Sequence, residues 1–112
     1  MAQDFKRFGD QDVGTAASTI HTSNSNDAII SIRLANTTTS TINAEVFITS
    51  SVTGGSQDHY IIKNAPIVSG GSLELIDGGS KLVIQSGDIV KAKSDTASSL
   101  SVWMSTVDAI SA

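Results

Sequence analysis

Short runs of aliphatic and β-branched residues alternate with polar ones at period two along most of this chain, and glycines or Ser/Thr-rich turns separate the runs. Such alternation puts every second side chain on one face of an extended strand. It suits a sheet with one buried face and not a helix, whose apolar stripe repeats near 3.6 residues. Ala28, Ile30, Ile32 and Leu34 fall on one face, with Ile29, Ser31 and Arg33 on the other. Ile42, Ala44, Val46 and Ile48 alternate with Asn43, Glu45, Phe47 and Thr49. Across 59–63, Tyr60 and Ile62 oppose Ile61 and Lys63. Further runs cover 72–76, 81–85, 88–93 and 99–107, and in the last Leu100, Val102 and Met104 oppose Ser101, Trp103 and Ser105. These make seven strands, and a weaker run at 17–22 makes an eighth.

Residue types agree with the pattern. Of 112 residues, 32 are Ile, Val or Thr, which are stiff at χ1 and fit a pleated surface, while only two are Glu. Turn signals recur about every 8–12 residues, which predicts an all-β antiparallel sandwich, jelly-roll-like, rather than an α/β fold. Leu, Ile, Val and Phe number 29, enough to form a core in a chain of one-domain size. Cysteine is absent, which excludes disulfides, thiolate metal sites and a cysteine nucleophile. No apolar run approaches the ~20 residues of a membrane helix, so no membrane partner is expected. The first twelve residues lack the apolar stretch of a secretory signal. A net charge of −4 and the lack of clustered cations disfavour nucleic acid as a partner.

Residues 1–16 are richer in charge and poorer in β-branched residues than the rest. They read as an extended N-terminal arm outside the core, with 17–112 as the sandwich domain. Phe5 and Phe8 bracket Lys6 and Arg7 there. Two apolar rings on an arm need a surface, either the chain's own sandwich or a neighbouring subunit.

A search for reactive groups finds little. His21 and His59 have no metal-ligand spacing and read as strand-end residues with solvent or backbone partners. Serines are abundant, but no nucleophile elbow is present. Glu45 and Glu74 fall on outward strand positions, and the paired glycines match no phosphate-binding pattern. Lys81, Lys91 and Lys93 form too thin a stripe for nucleic acid; they read as edge protection or a solvated surface, or as salt bridges to an acidic neighbour. Trp103, the one tryptophan, could cap the core, anchor a subunit interface or stack on a sugar. It shares the face opposite the core with Ile29, Phe47, Ile61, Val83 and Val107. No catalytic residue, metal ligand or cofactor follows. The candidate subunit-interface residues are Phe5, Lys6, Arg7, Phe8, Phe47 and Trp103.

Three stretches carry a resemblance: LANTTTSTINAEVFIT at 34–49, HYIIKNAPIVSGGSLELI at 59–76 and KLVIQSGDIVKAKSDTASSLSVWMS at 81–105. With Asp12-Val13-Gly14-Thr15 near the start, they resemble, in the same order, a group of small virion structural proteins of tailed bacteriophages from marine and cyanobacterial hosts. The chain departs from that group at Val68, where proline is usual, and at Ser80, where an acidic turn residue is usual. The resemblance implies a non-catalytic particle component localised to the virion. It would be present in multiple copies at the neck or tail exterior or as a capsid decoration, and would contact copies of itself and other virion proteins. It carries over no catalytic or ligand residue. The alternative from the residues alone is a carbohydrate-binding or host-adsorption module.

Overall fold

A computed structural model describes residues 4–52, 54–76 and 81–108. Nine strands account for most of them: β1 (Asp4–Val13), β2 (Ser18–Thr22), β3 (Asp27–Asn36), β4 (Ile42–Ser50), β5 (Gln57–Ile67), β6 (Ser72–Glu74), β7 (Leu82–Ile84), β8 (Ile89–Ser94) and β9 (Leu100–Asp108). All eight expected runs form strands. The Gly78-Gly79 pair, Ser80 and residues 1–3 lie outside the described residues.

The strands make two antiparallel sheets. One runs β1-β9-β3-β6, with β7 also paired to β3; the other runs β2-β8-β4-β5. Consecutive strands β1 to β5 cross from sheet to sheet or pair as a hairpin, and β8 and β9 return between earlier strands. This wrapping of late strands among early ones is the double Greek key of a jelly roll. Strands β6 and β7 occupy one position in two pieces, pairing with Arg33–Ala35 and Asp27–Ile29 of β3 respectively. Between them the Ile32 N–H would lack a ladder partner, and the Glu74 carboxylate accepts it at 3.1 Å.

The interior is aliphatic. Ile29, Ile32, Leu34, Ile42, Val46, Ile84, Val90, Leu100 and Met104 are wholly or almost wholly buried between the sheets. Most polar groups that enter it are satisfied, although Thr106 Oγ1 is buried without a hydrogen-bond partner. Asn36 is buried at the end of β3. Its Nδ2 donates to the carbonyls of Ser40, Ile67 and Val68 (2.7, 2.9 and 3.2 Å), and its Oδ1 accepts the Thr38 N–H at 2.8 Å. One amide thus ties the β3–β4 turn to the end of β5 in the opposite sheet. A buried amide so saturated costs little to desolvate.

The alternation fails where strands bulge. In β3, Ile29 lies opposite Thr106 and Ser31 opposite Ser105, so Ile30 is an inserted residue. An insertion flips the faces on one side of it. Ile29, expected outside, is therefore fully buried, and Ile30, expected inside, is only half-buried. Ile61 is drawn against the core in the same way, because β5 carries extra residues against β4 on either side of Val46.

The segment expected as an arm outside the core is, over Asp4–Val13, the outermost strand of the first sheet. It pairs with β9 from Asp4 opposite Asp108 to Asp10 opposite Val102. After a bulge, Val13 turns into the core with no exposed surface. For Lys91 and Lys93 the edge reading fails, while their outward positions fit a surface role. They lie on β8, which has β2 on one side and β4 on the other, so they guard no edge. Their outward positions on an interior strand explain the alternation, and Lys93 faces Glu45 across the ladder.

The bulge gives a test that strict alternation would fail. Ile29→Ala is expected to lower the unfolding free energy by about 2–5 kcal/mol, as for other buried aliphatic truncations, and Ile30→Ala by well under half of that. Urea unfolding of the two variants checks the order.

Candidate functional site

Strand β1 has odd-numbered residues on one face and even-numbered ones on the other up to its bulge. Phe5, Arg7 and Gly9 face outward beside Trp103, Ser105 and Val107 of β9. Phe5 is 81% exposed and Trp103 53%. Trp103 lies between Gly9 and Arg33 in the ladder. A side chain at position 9 would meet the indole at 3.1 Å, so glycine is what lets the ring lie over the β1 backbone. Two shallow depressions flank this point. One of about 310 Å³ is bordered by Phe5, Arg7, Ile30, Trp103 and Ser105. The other, of about 490 Å³, is bordered by Arg7, Gly9, Gln11, Ser101 and Trp103. Arg7 and Trp103 form the ridge between them. The result is an open apolar face with a cation at its centre.

Of the six residues proposed from sequence as a subunit interface, the structure gathers Phe5, Arg7 and Trp103 on this face. Lys6 and Phe8 have the opposite parity and turn toward the end of the sandwich. Phe47 does not join them. It sits on the second sheet, only 6% exposed, beneath Tyr60, which is its register partner with ring centroids 5.1 Å apart. Lys63 Nζ lies 4.7 Å from the Tyr60 ring and continues the cover. Phe47 is a packed residue of its own subunit, because the cross-strand neighbour that hides it lies 13 positions away in sequence.

Lys6 and Phe8 join a second group, which sequence reasoning missed. The His21 ring stacks on Phe8 with centroids 3.9 Å apart, and its Nε2 lies 3.3 Å from Asp27 Oδ2. Asp27 is fully buried. It accepts the Ser23 hydroxyl at 2.8 Å on Oδ2 and the Ser25 hydroxyl on Oδ1. Lys6 Nζ lies 3.0 Å from Asp108 Oδ2. His21, expected to find solvent or backbone, has a carboxylate and an aromatic partner instead. Nothing in the local sequence signals this, since the group is drawn from β1, β2, β3, β9 and the β2–β3 turn. One ligand atom from each of His21, Asp27 and Asp108 falls within 4.8 Å of the others, a spacing that could hold a cation. The positive charge already present is the Lys6 ammonium, and both Asp27 oxygens are occupied by hydroxyls. The serine geometry is also wrong for a nucleophile: the Ser23 hydroxyl lies against the Ser25 carbonyl at 2.7 Å and the Asp27 carboxylate at 2.8 Å, where a triad serine would meet the imidazole. These groups close the end of the sandwich.

The other histidine, His59, borders a cleft of about 470 Å³ with Ile48, Ser50, Val83 and Asp88, and its Nε2 is buried with no hydrogen-bond partner. In that cleft Asp88 is tied to Ser50 Oγ at 2.7 Å and to the Gln85 N–H at 2.9 Å.

No family model matches the sequence, and no curated protein matches it. Among solved structures, a chain from the work titled "Bacillus endospore appendages form a novel family of disulfide-linked pili" is similar in fold. The TM-score is 0.52 and the identity 19%, over 95% of this chain and 84% of that one.

Two measurements test this placement. Phe47→Ala should destabilise the subunit by about 3–5 kcal/mol, the usual cost of removing a buried ring. Phe5→Ala should change stability by less than about 0.5 kcal/mol; denaturant melts decide. The hydrogen bond and charge of Asp108 raise the Lys6 pKa above its ordinary 10.5. The contribution of that pair is therefore complete below 10.5 and is lost as the pH climbs through the raised folded value. Relative to Lys6→Met, the native chain should lose its thermal-stability advantage as the pH climbs through the alkaline range.

Proposed function

We propose that this chain is a non-catalytic structural subunit of a bacteriophage virion, present in multiple copies at the neck or tail exterior or as a capsid decoration. Its partners are copies of itself and other virion proteins. The observation that carries the assembly role is the outward face of the first sheet, where Phe5 and Trp103 stand exposed around Arg7 on a rigid jelly roll. Aromatic rings flanking an arginine are the residue types enriched where interface energy concentrates. The ordered sequence resemblance supports the virion as the setting.

The likeness to an endospore appendage chain favours a second reading, a subunit of a surface polymer. That structure is titled a disulfide-linked pilus, and this chain has no cysteine with which to copy such a link. Under either reading, non-covalent contacts hold the copies together.

Quantitative mass spectrometry of purified particles tests the virion reading. Copies on the order of hundreds per particle place the chain on the shell, and about a dozen place it at the neck, from the symmetry of each. Absence from the particle rejects it. Saturable glycan binding by the isolated chain, lost in Trp103→Ala, would replace it with the adsorption reading.

A further inference from the structure

The sandwich has four sheet edges, and they are not alike. Edge strand β5 is bulged twice against β4, holds Asn64 in the left-handed region at φ 54° and contains Pro66, which has no N–H to offer. Strands β6 and β7 are three residues each, and β2 is five residues with a break in its register. Bulges, proline and shortness are the usual devices that stop a strand from being added. Strand β1 differs. From Asp4 to Asp10 it runs seven residues in unbroken register with β9, and among the described residues no strand covers its other side.

We propose that the β1 edge pairs with the β1 edge of a second copy of this chain, antiparallel across a two-fold axis at Phe8. This deepens the reading of the chain as an assembly subunit and rests on that reading for its purpose, though not for its geometry. Among the two-fold registers that pair at least five residues of the regular stretch, those centred on Lys6, Arg7 or Phe8, the charges select one. Facing residues must share a face of the sheet, so only even sums of paired positions are allowed. Pairing about Arg7 sets the two arginines against each other and Asp4 against Asp10. Pairing about Lys6 sets the two lysines together. Pairing about Phe8 puts Lys6 opposite Asp10 of the second copy, twice by symmetry, and leaves no like charges facing within the regular stretch. The one remaining like-charged opposition, Asp4 with Asp12, falls within the bulge, where Asp12 donates its N–H to Asp10 Oδ1.

The outer face agrees with the same register. Arg7 of the second copy comes opposite Gly9, the position over which the Trp103 ring lies. A guanidinium arriving beside an exposed indole adds a cation–π contact. Lys6 explains why a generic strand is refused. It already meets Asp108 of its own chain, and it gains a second carboxylate only from a strand that carries an acid four residues further on, as a second copy does. The pairing is isologous, so two copies satisfy each other's edge and the contact closes.

The experiment uses the full chain in solution. Sedimentation equilibrium should show a concentration-dependent dimer. Asp10→Lys places lysine opposite Lys6 at two symmetric points and should weaken the dimer by about tenfold or more, since like charges directly opposite oppose pairing. Register is read with single cysteines, which are unambiguous in a chain that has none. Phe8→Cys should form an intersubunit disulfide under mild oxidation, because residues facing across an antiparallel pair lie within disulfide reach. Arg7→Cys and Lys6→Cys should not; each is exposed at the edge, and each would cross-link in one of the two rejected registers. A chain that stays monomeric at its highest soluble concentration overturns the proposal, as does a dimer indifferent to Asp10→Lys or one that cross-links through position 6 or 7. A monomer still found in many copies on purified particles would defeat this pairing and leave the structural role standing.

Discussion

The aliphatic slab between the two sheets is one side chain thick from each face, and its register governs the rest of the molecule. Face-packed sheets lie about 10 Å apart, so each strand must deliver its inward residues at the height its neighbours demand. A slip of one residue would turn a whole strand inside out. The chain meets this demand with insertions, not with perfect alternation. Ile30 is inserted in β3, an extra residue precedes Val13 in β1, and β5 bulges on both sides of its pairing with Val46. Each insertion lets one half of a strand meet the core correctly and the other half reach its own partners.

At the two ends of the slab, polar residues seal the sandwich, and most of their polar atoms are paired. At one end Asn36 saturates its amide on both sheets. At the other, Asp27 is buried with serine hydroxyls on both oxygens, and Lys6 meets Asp108 beside it. A buried carboxylate is tolerable only when hydrogen-bonded and charge-compensated. That requirement explains why β1 belongs to the fold and is not a free arm. Phe8 covers His21 and Lys6 answers Asp108, so removing the strand would uncover one end of the sandwich.

The sequence made the fold class legible because stretches of alternation remain on either side of the bulges in β3 and β5 and through β8 and β9. It hid β1 because that strand carries charge on both faces: Asp4, Lys6 and Asp10 share one side and Arg7 stands on the other, so no apolar stripe marks it. The bulges were also hidden. A run such as Ala28–Ile32, aliphatic at four of five positions, gives no sign of which residue is the extra one. For the interface set, Phe5, Arg7 and Trp103 were legible as exposed residues because two of them sit among polar neighbours at outward positions. Phe47 had the same local signature and a different fate, since Tyr60 comes from another strand to cover it. The histidine–aspartate group was illegible because its members come from four strands and a turn.

A brick with three blunted edges and one open edge has limited ways to join its own kind. Edge pairing through β1 uses the open edge of both copies and leaves none to propagate, so any larger array must grow through faces. The faces are unequal. On the second sheet, Tyr60 and Lys63 already cover Phe47, and the remaining outward positions include Glu45, Lys91 and Lys93. On the first sheet Phe5, Trp103 and Val83 are exposed. Joining two copies through β1 would make one continuous sheet with the Phe5 and Trp103 patches of both copies side by side, doubling the apolar area turned to a neighbour. Without cysteine, holding such a neighbour depends on that area and on repetition. Contacts too weak to hold one subunit become effective when each copy presents them twice on a rigid body.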